Sequence, residues 1–102
     1  MEEGLAHHKS AKKRIKTNEK RRIYNRSIKS RVKTYTRYFK ESIEEVMNDT
    51  SKVEELREGV SRKLVKAVSE LHKAASKGVL HKNTAGRKIG RLTNLFNKTF
   101  QN

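Results

Sequence analysis

Of the side chains that could do chemistry in this chain, only the cations are numerous and grouped. There are 26 Lys and Arg against 11 Asp and Glu, with 4 His and no Cys, for a formal net charge of +15. The first group is "KSAKKRIKTNEKRR", residues 9–22, in which eight of fourteen side chains are Lys or Arg and one is Glu. The second is "KGVLHKNTAGRKIGRL", residues 77–92, where Lys77, His81, Lys82, Arg87, Lys88 and Arg91 surround a turn and the start of a helix. Free backbone amides at a helix start suit phosphate, and flanking cations add to that. Charge of this density points to a polyanionic partner.

Catalytic and metal chemistry find no footing. His7, His8, His72 and His81 are not spaced as a zinc set, and no Cys completes one. Asp49 is the only Asp, the Glu residues gather in one bend, and no P-loop pattern occurs. The chain reads as a non-enzyme with no cofactor, no bound metal and no small-molecule substrate. Among the histidines only His81, set in the second basic stretch, suits a phosphate or a 2′-hydroxyl; a plain turn role fits it as well. Absent cysteines exclude disulfides. No apolar run approaches the ~18 residues of a membrane span, so a soluble intracellular protein without a membrane partner is expected.

The charge is unevenly placed. Residues 1–40 carry 14 basic and 3 acidic side chains, residues 41–58 carry 2 and 7, and residues 59–102 carry 10 and 1. Two basic arms therefore flank an acidic bend, a pattern that favours a binding surface over two merely solvated faces.

The elements that must position these groups are helices, because proline is absent and helix formers dominate. Counting 100° per residue from Tyr24, the residues Tyr24, Ile28, Val32, Tyr35, Phe39, Ile43 and Val46 share one face. Arg22, Arg26, Lys29, Lys33, Arg37 and Lys40 lie opposite. A second helix is expected from "TSKVEEL", with Ser51 and Glu54 in a capping-box spacing. Its stripe is Val53, Leu56, Val60, Leu64, Ala67, Val68, Leu71 and Ala75, and Gly78 suits its C-terminal stop. Asn83 or Thr84 can cap a third helix, striped by Ala85, Ile89, Leu92, Phe96 and Phe100. The expected fold is all-α, an antiparallel three-helix bundle whose long first helix projects beyond the bundle at its N-terminal end. The aromatics fall mainly on these stripes and read as core.

Upstream of Tyr24 the two-faced pattern fails. Lys9, Lys12, Lys13, Arg14, Lys16, Lys20 and Arg21 spread around nearly the whole helix circumference, so no helix could pack there without burying charge. The reading is a flexible lead over 1–8, a basic arm over 9–21 and a bundle over 22–102. The arm holds phosphate on several sides. Like charges at i,i+4 oppose its helix in the free chain, which predicts fraying there until phosphates neutralise them. Gly86 and Gly90 stand one turn apart in the third helix, a spacing that lets either a phosphate or a neighbouring helix come close.

The stretches "KSAKKRIKTNEKRRIYNRSIKSRVKT" and "AASKGVLHKNTAGRKIGRL" resemble the two signature regions of the bacterial-type small-subunit ribosomal protein family numbered twenty. The resemblance covers about residues 9–98. "MEEGLAHH" departs from the family's short lead, and Gly86 and Gly90 stand where small Ala and Ser are usual. The resemblance implies a three-helix bundle with a protruding first helix. It also implies direct binding to 16S ribosomal RNA, at the 5′ domain and the long helix near the 3′ end, with a role in folding and assembling the small subunit. By position it assigns RNA contact to Lys9, Ser10, Lys12, Lys13, Arg14, Asn18, Lys20, Arg21, Arg22, Asn25, Lys29, Ser30 and Lys33. In the second region it assigns Lys77, His81, Lys82, Asn83, Arg87, Lys88 and Arg91. Lys16 and Arg26 join this set on charge and position alone. The host would be a bacterial cytoplasm or an organelle, a plastid before others. The competing class is a histone-like architectural DNA binder, which shares the charge and helicity but would want an apolar wedge that is not seen here. A membrane-active amphipathic peptide ranks last, since every stripe has a bundle partner.

Overall fold

The computed structural model describes residues 2–100, with side chains described from residue 10 onward. Helix α1 runs Glu2–Asn48, a 3₁₀ turn covers Thr50–Lys52, α2 runs Val53–Ser76 and α3 runs Lys82–Phe100. No strand occurs among the described residues. The three helices alternate in direction, as the sequence pattern predicts. At 1.5 Å per residue, 47 residues of α1 reach ~70 Å. That one helix accounts for the longest dimension of a 76 × 21 × 15 Å molecule.

The core is built from the predicted stripes. Ile28, Val32, Phe39, Ile43 and Val46 of α1 meet Val60, Ala67, Leu71 and Ala74 of α2 and Leu92 of α3. Phe39, Leu71, Ala67 and Ala74 are completely buried. Alanines at the centre of α2 let it sit close between two neighbours. It packs on both α1 and α3, whereas α1 and α3 meet only slightly. The bundle is therefore open along one seam, between α1 and α3.

The stripe of α1 stops earlier than the sequence suggests. Ile28 is its first buried residue, and Tyr24, expected on the stripe, is 48% exposed. α2 ends at Ser76, so among the described residues no helix covers α1 further toward its N-terminus, and only Lys77 of the following turn reaches back, to Tyr24. Everything from Ser10 to Ser27 is exposed and wholly helical. The helix is continuous through this stretch, whose residues include no Gly or Pro and are mostly good helix formers. Of the aromatics, Phe39 is buried and Tyr35, Phe96 and Phe100 are partly so. Tyr38 joins Tyr24 at the surface, so the core assignment overreached for those two.

The helix ends differ from expectation in two places. The Ser51–Glu54 capping box does not form. Instead the Asp49 carboxylate accepts from both the Ser51 amide and the Ser51 hydroxyl, and Ser51 lies inside a 3₁₀ turn, leaving Lys52 at the N-cap of α2 with no side-chain cap. Helix α3 is capped by His81 and not by Asn83 or Thr84. The His81 carbonyl accepts from the Ala85 amide at 3.0 Å, and its ring Nδ1 accepts from the Asn83 amide at 3.1 Å. The stop of α2 follows expectation. Gly78 has φ +75°. The Val79 amide donates to the Ala74 carbonyl at 2.9 Å and the Gly78 amide to the Ala75 carbonyl at 3.1 Å. Those two bonds are the Schellman pairing.

Candidate nucleic-acid interface

The exposed part of α1 presents a strip with a short polar floor and long cationic walls. Asn18, Asn25 and Ser30 lie between Arg21, Arg22, Arg26, Lys29 and Lys33, and together they line one concavity of about 800 Å³. The spacing explains it. Residues 18, 22, 25, 29 and 33 recur at three or four, so they stack along one side of the helix. Asn and Ser are short there, which leaves a shallow trough rather than a closed wall of methylenes. No arm cation from Lys12 to Lys33 forms an ion pair among the described residues. Their charge is directed outward, free for an external anion.

The rest of the predicted arm set is placed as follows. Ser10, Lys12, Lys13, Arg14, Lys16 and Lys20 are exposed around α1 beyond the trough. The Lys9 side chain lies outside the described residues. Thr17, not in the predicted set, turns its hydroxyl inward to the Lys13 carbonyl at 2.9 Å.

The second basic region comes to the root of the arm. Because α2 returns antiparallel to α1, the α2–α3 turn arrives beside Tyr24. There the Lys77 ammonium donates to the Tyr24 hydroxyl at 2.6 Å. This tie brings together two regions 53 residues apart. Lys77, His81, Lys82, Asn83, Arg87, Lys88 and Arg91 are all exposed. As His81 accepts through Nδ1, its proton resides on Nε2, which is left as a donor. The cap fixes which ring nitrogen can meet a phosphate. Gly86 and Gly90 are not required by packing. A methyl group added at either would meet nothing within 4 Å.

Sequence reading passed over three things here. The Tyr24–Lys77 tie was hidden because Tyr24 fits the stripe. The capping role of His81 was hidden because Asn and Thr next to it are better-known caps. Glu70 was counted only as the single acid of residues 59–102, yet it is buried, with Lys66 at 3.5 Å and Lys73 at 3.9 Å. Its i−4 and i+3 lysines were the available signal.

Catalytic and membrane readings gain nothing from the geometry. No group of acidic and histidine side chains among the described residues could hold a metal. No helix among them is long and apolar enough to cross a membrane.

Comparison with known proteins bears on the same residues. The family model described as ribosomal protein S20 matches residues 6–97. "Small ribosomal subunit protein bS20" of Caldanaerobacter subterraneus subsp. tengcongensis is 52% identical over 93 residues, covering 91% of this chain and 80% of the relative. The protein of the same name from Desulforudis audaxviator is 46% identical, covering 91% of this chain and 96% of the relative. That from a Mycobacterium species is 45% identical, covering 92% and 99%. No solved structure matches the chain significantly.

Proposed function

The chain belongs to the ribosomal protein S20 family, which is not an enzyme family, and from that premise we propose that it binds 16S ribosomal RNA directly as a structural component of the small subunit. The unpaired cationic trough on α1 is the observation that carries this reading. RNA contact is assigned to the arm and trough from Lys9 to Lys33 and to the α2–α3 turn with the start of α3, Lys77 to Arg91. The bundle over 22–102 acts as the folded body from which the arm over 9–21 reaches into RNA. Tyr24 and Lys77 hold the two basic regions together, so they can engage different faces of one folded RNA. That arrangement supports a role in assembly, joining the 5′ domain to the long helix near the 3′ end. The named relatives are all bacterial, which favours a bacterial cytoplasmic ribosome over the plastid alternative.

A histone-like DNA binder remains the competing class. Side-by-side filter binding with folded small-subunit ribosomal RNA, duplex DNA of matched length and anionic vesicles decides between them. The expected outcome is a clear preference for the ribosomal RNA. Equal affinity for duplex DNA at the same salt would remove the proposal.

A further inference from the structure

Beyond the trough, the open seam between α1 and α3 forms a groove that the sequence reading did not single out. Its floor is apolar, with Leu92 buried and Leu95 half-buried. Its rim carries Lys40 and Thr36 from α1 and Lys88 and Arg91 from α3, around a concavity of about 330 Å³. Lys40, Lys88 and Arg91 form no ion pair among the described residues. A neighbouring depression shares Thr36, Lys40 and Lys88 with this groove and also reaches Lys33, Glu41 and Glu44. Of those acids, Glu41 is engaged by Arg37 at 3.7 Å. Lys33 also lines the arm trough. Lys33, Lys40 and Lys88 therefore link the arm trough to the groove on the bundle, with Glu44 the one acid between them that no ion pair engages among the described residues.

We propose that the α1–α3 groove is a second RNA seat, taking the sugar–phosphate edge of the RNA, with Lys40 as a phosphate contact and Thr36 as a 2′-hydroxyl contact. The proposal rests on the RNA-binding reading above and extends it from Lys88 and Arg91, already assigned there, to Lys40 and Thr36 across the groove. Charge complementarity and continuity with the trough select the occupant. An apolar floor beneath a cationic rim fits ribose carbons below and phosphates at the edges. Thr36 is half-buried in the groove, and its hydroxyl forms no hydrogen bond among the described residues. A hydroxyl free at that position can pair with the 2′-OH that distinguishes RNA from DNA.

The test is lysine acylation of the full chain, free and bound to folded bacterial small-subunit ribosomal RNA, read residue by residue by mass spectrometry. Binding should slow acylation of Lys40 and Lys88 at least tenfold. Lys20 in the arm should slow similarly, while Lys63, exposed beside Tyr38 at the α1–α2 seam, keeps its free rate. If Lys40 reacts at the free rate while Lys20 and Lys88 are protected, the groove is not an RNA seat and the RNA-binding reading stands. Protection of Lys40 and Lys88 with Lys20 at its free rate would overturn the arm and keep the groove. Uniform protection that includes Lys63 signals a non-specific coat and overturns the proposal. A second variant addresses the hydroxyl: Thr36→Val should lower affinity for the RNA about fivefold, the scale of one lost hydrogen bond. Affinity for duplex DNA should barely change. An equal change for both nucleic acids would remove the 2′-hydroxyl assignment.

Discussion

Helix α1 is one uninterrupted helix that lives under two sets of forces. From Ile28 to Val46 its apolar stripe is buried against α2, and Phe39 reaches complete burial. From Ser10 to Ser27 nothing is buried, Ile15 and Ile23 are 64% and 60% exposed, and the cations form no ion pair among the described residues. Helical backbone is common to both halves, so backbone hydrogen bonding does not distinguish them. Tertiary burial does, because most helical stability in proteins comes from packing an amphipathic face. The distal half is thus free to be specified by its ligand, and the proximal half by its core. Mutations in the two halves should separate cleanly into binding and stability effects.

The strongest way to break that separation is to remove residues 1–21. The bundle should keep its thermal unfolding transition, because Ile28 is the first buried side chain among the described residues. Affinity for ribosomal RNA should fall by several powers of ten at low salt. The slope of log affinity against log salt should also flatten, since each lost phosphate contact contributes a slope of nearly one. An unchanged slope in the truncated protein would show that the arm touches no phosphate.

A smaller effect comes from paired substitutions on the proximal half. Phe39→Ala should cost about 3–5 kcal/mol, measured by chemical denaturation, enough to threaten a bundle of this size. Lys33→Ala, on the exposed side of the same helix, should leave stability nearly unchanged and weaken RNA binding. Interchanged phenotypes would mean that the two faces have been misassigned.

Smaller again is Gly78→Ala at the bundle end next to the arm. The added methyl meets nothing within 4 Å, so only the positive φ of +75° opposes it. The cost should be about 1–2 kcal/mol. It sharpens the comparison, because the turn also places Lys77 beside Tyr24. RNA affinity should fall along with stability if that juxtaposition matters to binding.

Much of this was legible in the residue pattern, and the exceptions have physical causes. Stripes at helical spacing identified Ile28, Val32, Phe39, Leu71 and Leu92 as core, because burial of an amphipathic face leaves a periodic trace. Gly78 was legible because few residues other than glycine accept a left-handed φ at a helix end. Capping was not, because several polar residues compete within one turn; Asp49 and His81 won by geometry that spacing does not encode. The α1–α3 groove was hidden for a further reason. It arises from Ala67 and Ala74 drawing α2 close while α1 and α3 stay apart, a relation among three helices that no single stretch displays. In the candidate interface, Lys33 was legible on the basic spine of α1 and Lys88 and Arg91 in the second basic stretch, and only the fold sets the last two beside Thr36 and Lys40.

The smallest effects concern the arm helix itself. Between Lys9 and Arg22 there are eight basic residues and one Glu, so pairs such as Lys12–Lys16 and Lys16–Lys20 stand at i,i+4. Each such pair opposes the helix by about 0.2–0.5 kcal/mol, and salt screens it. With no buried side chain to offset the ordering entropy, the arm's helix should be marginal even though it is continuous with a stable one. Amide exchange on the free protein at low salt should show little protection over residues 10–20 and strong protection over 32–46. Protection in the arm should rise as salt is added and rise further with ribosomal RNA, where phosphates neutralise the repelling charges directly. Protection of the arm equal to that of the core, in free protein at low salt, would contradict the division of α1 into two regimes. It would mean that the distal helix draws stability from a source other than the burial and charge terms described for it.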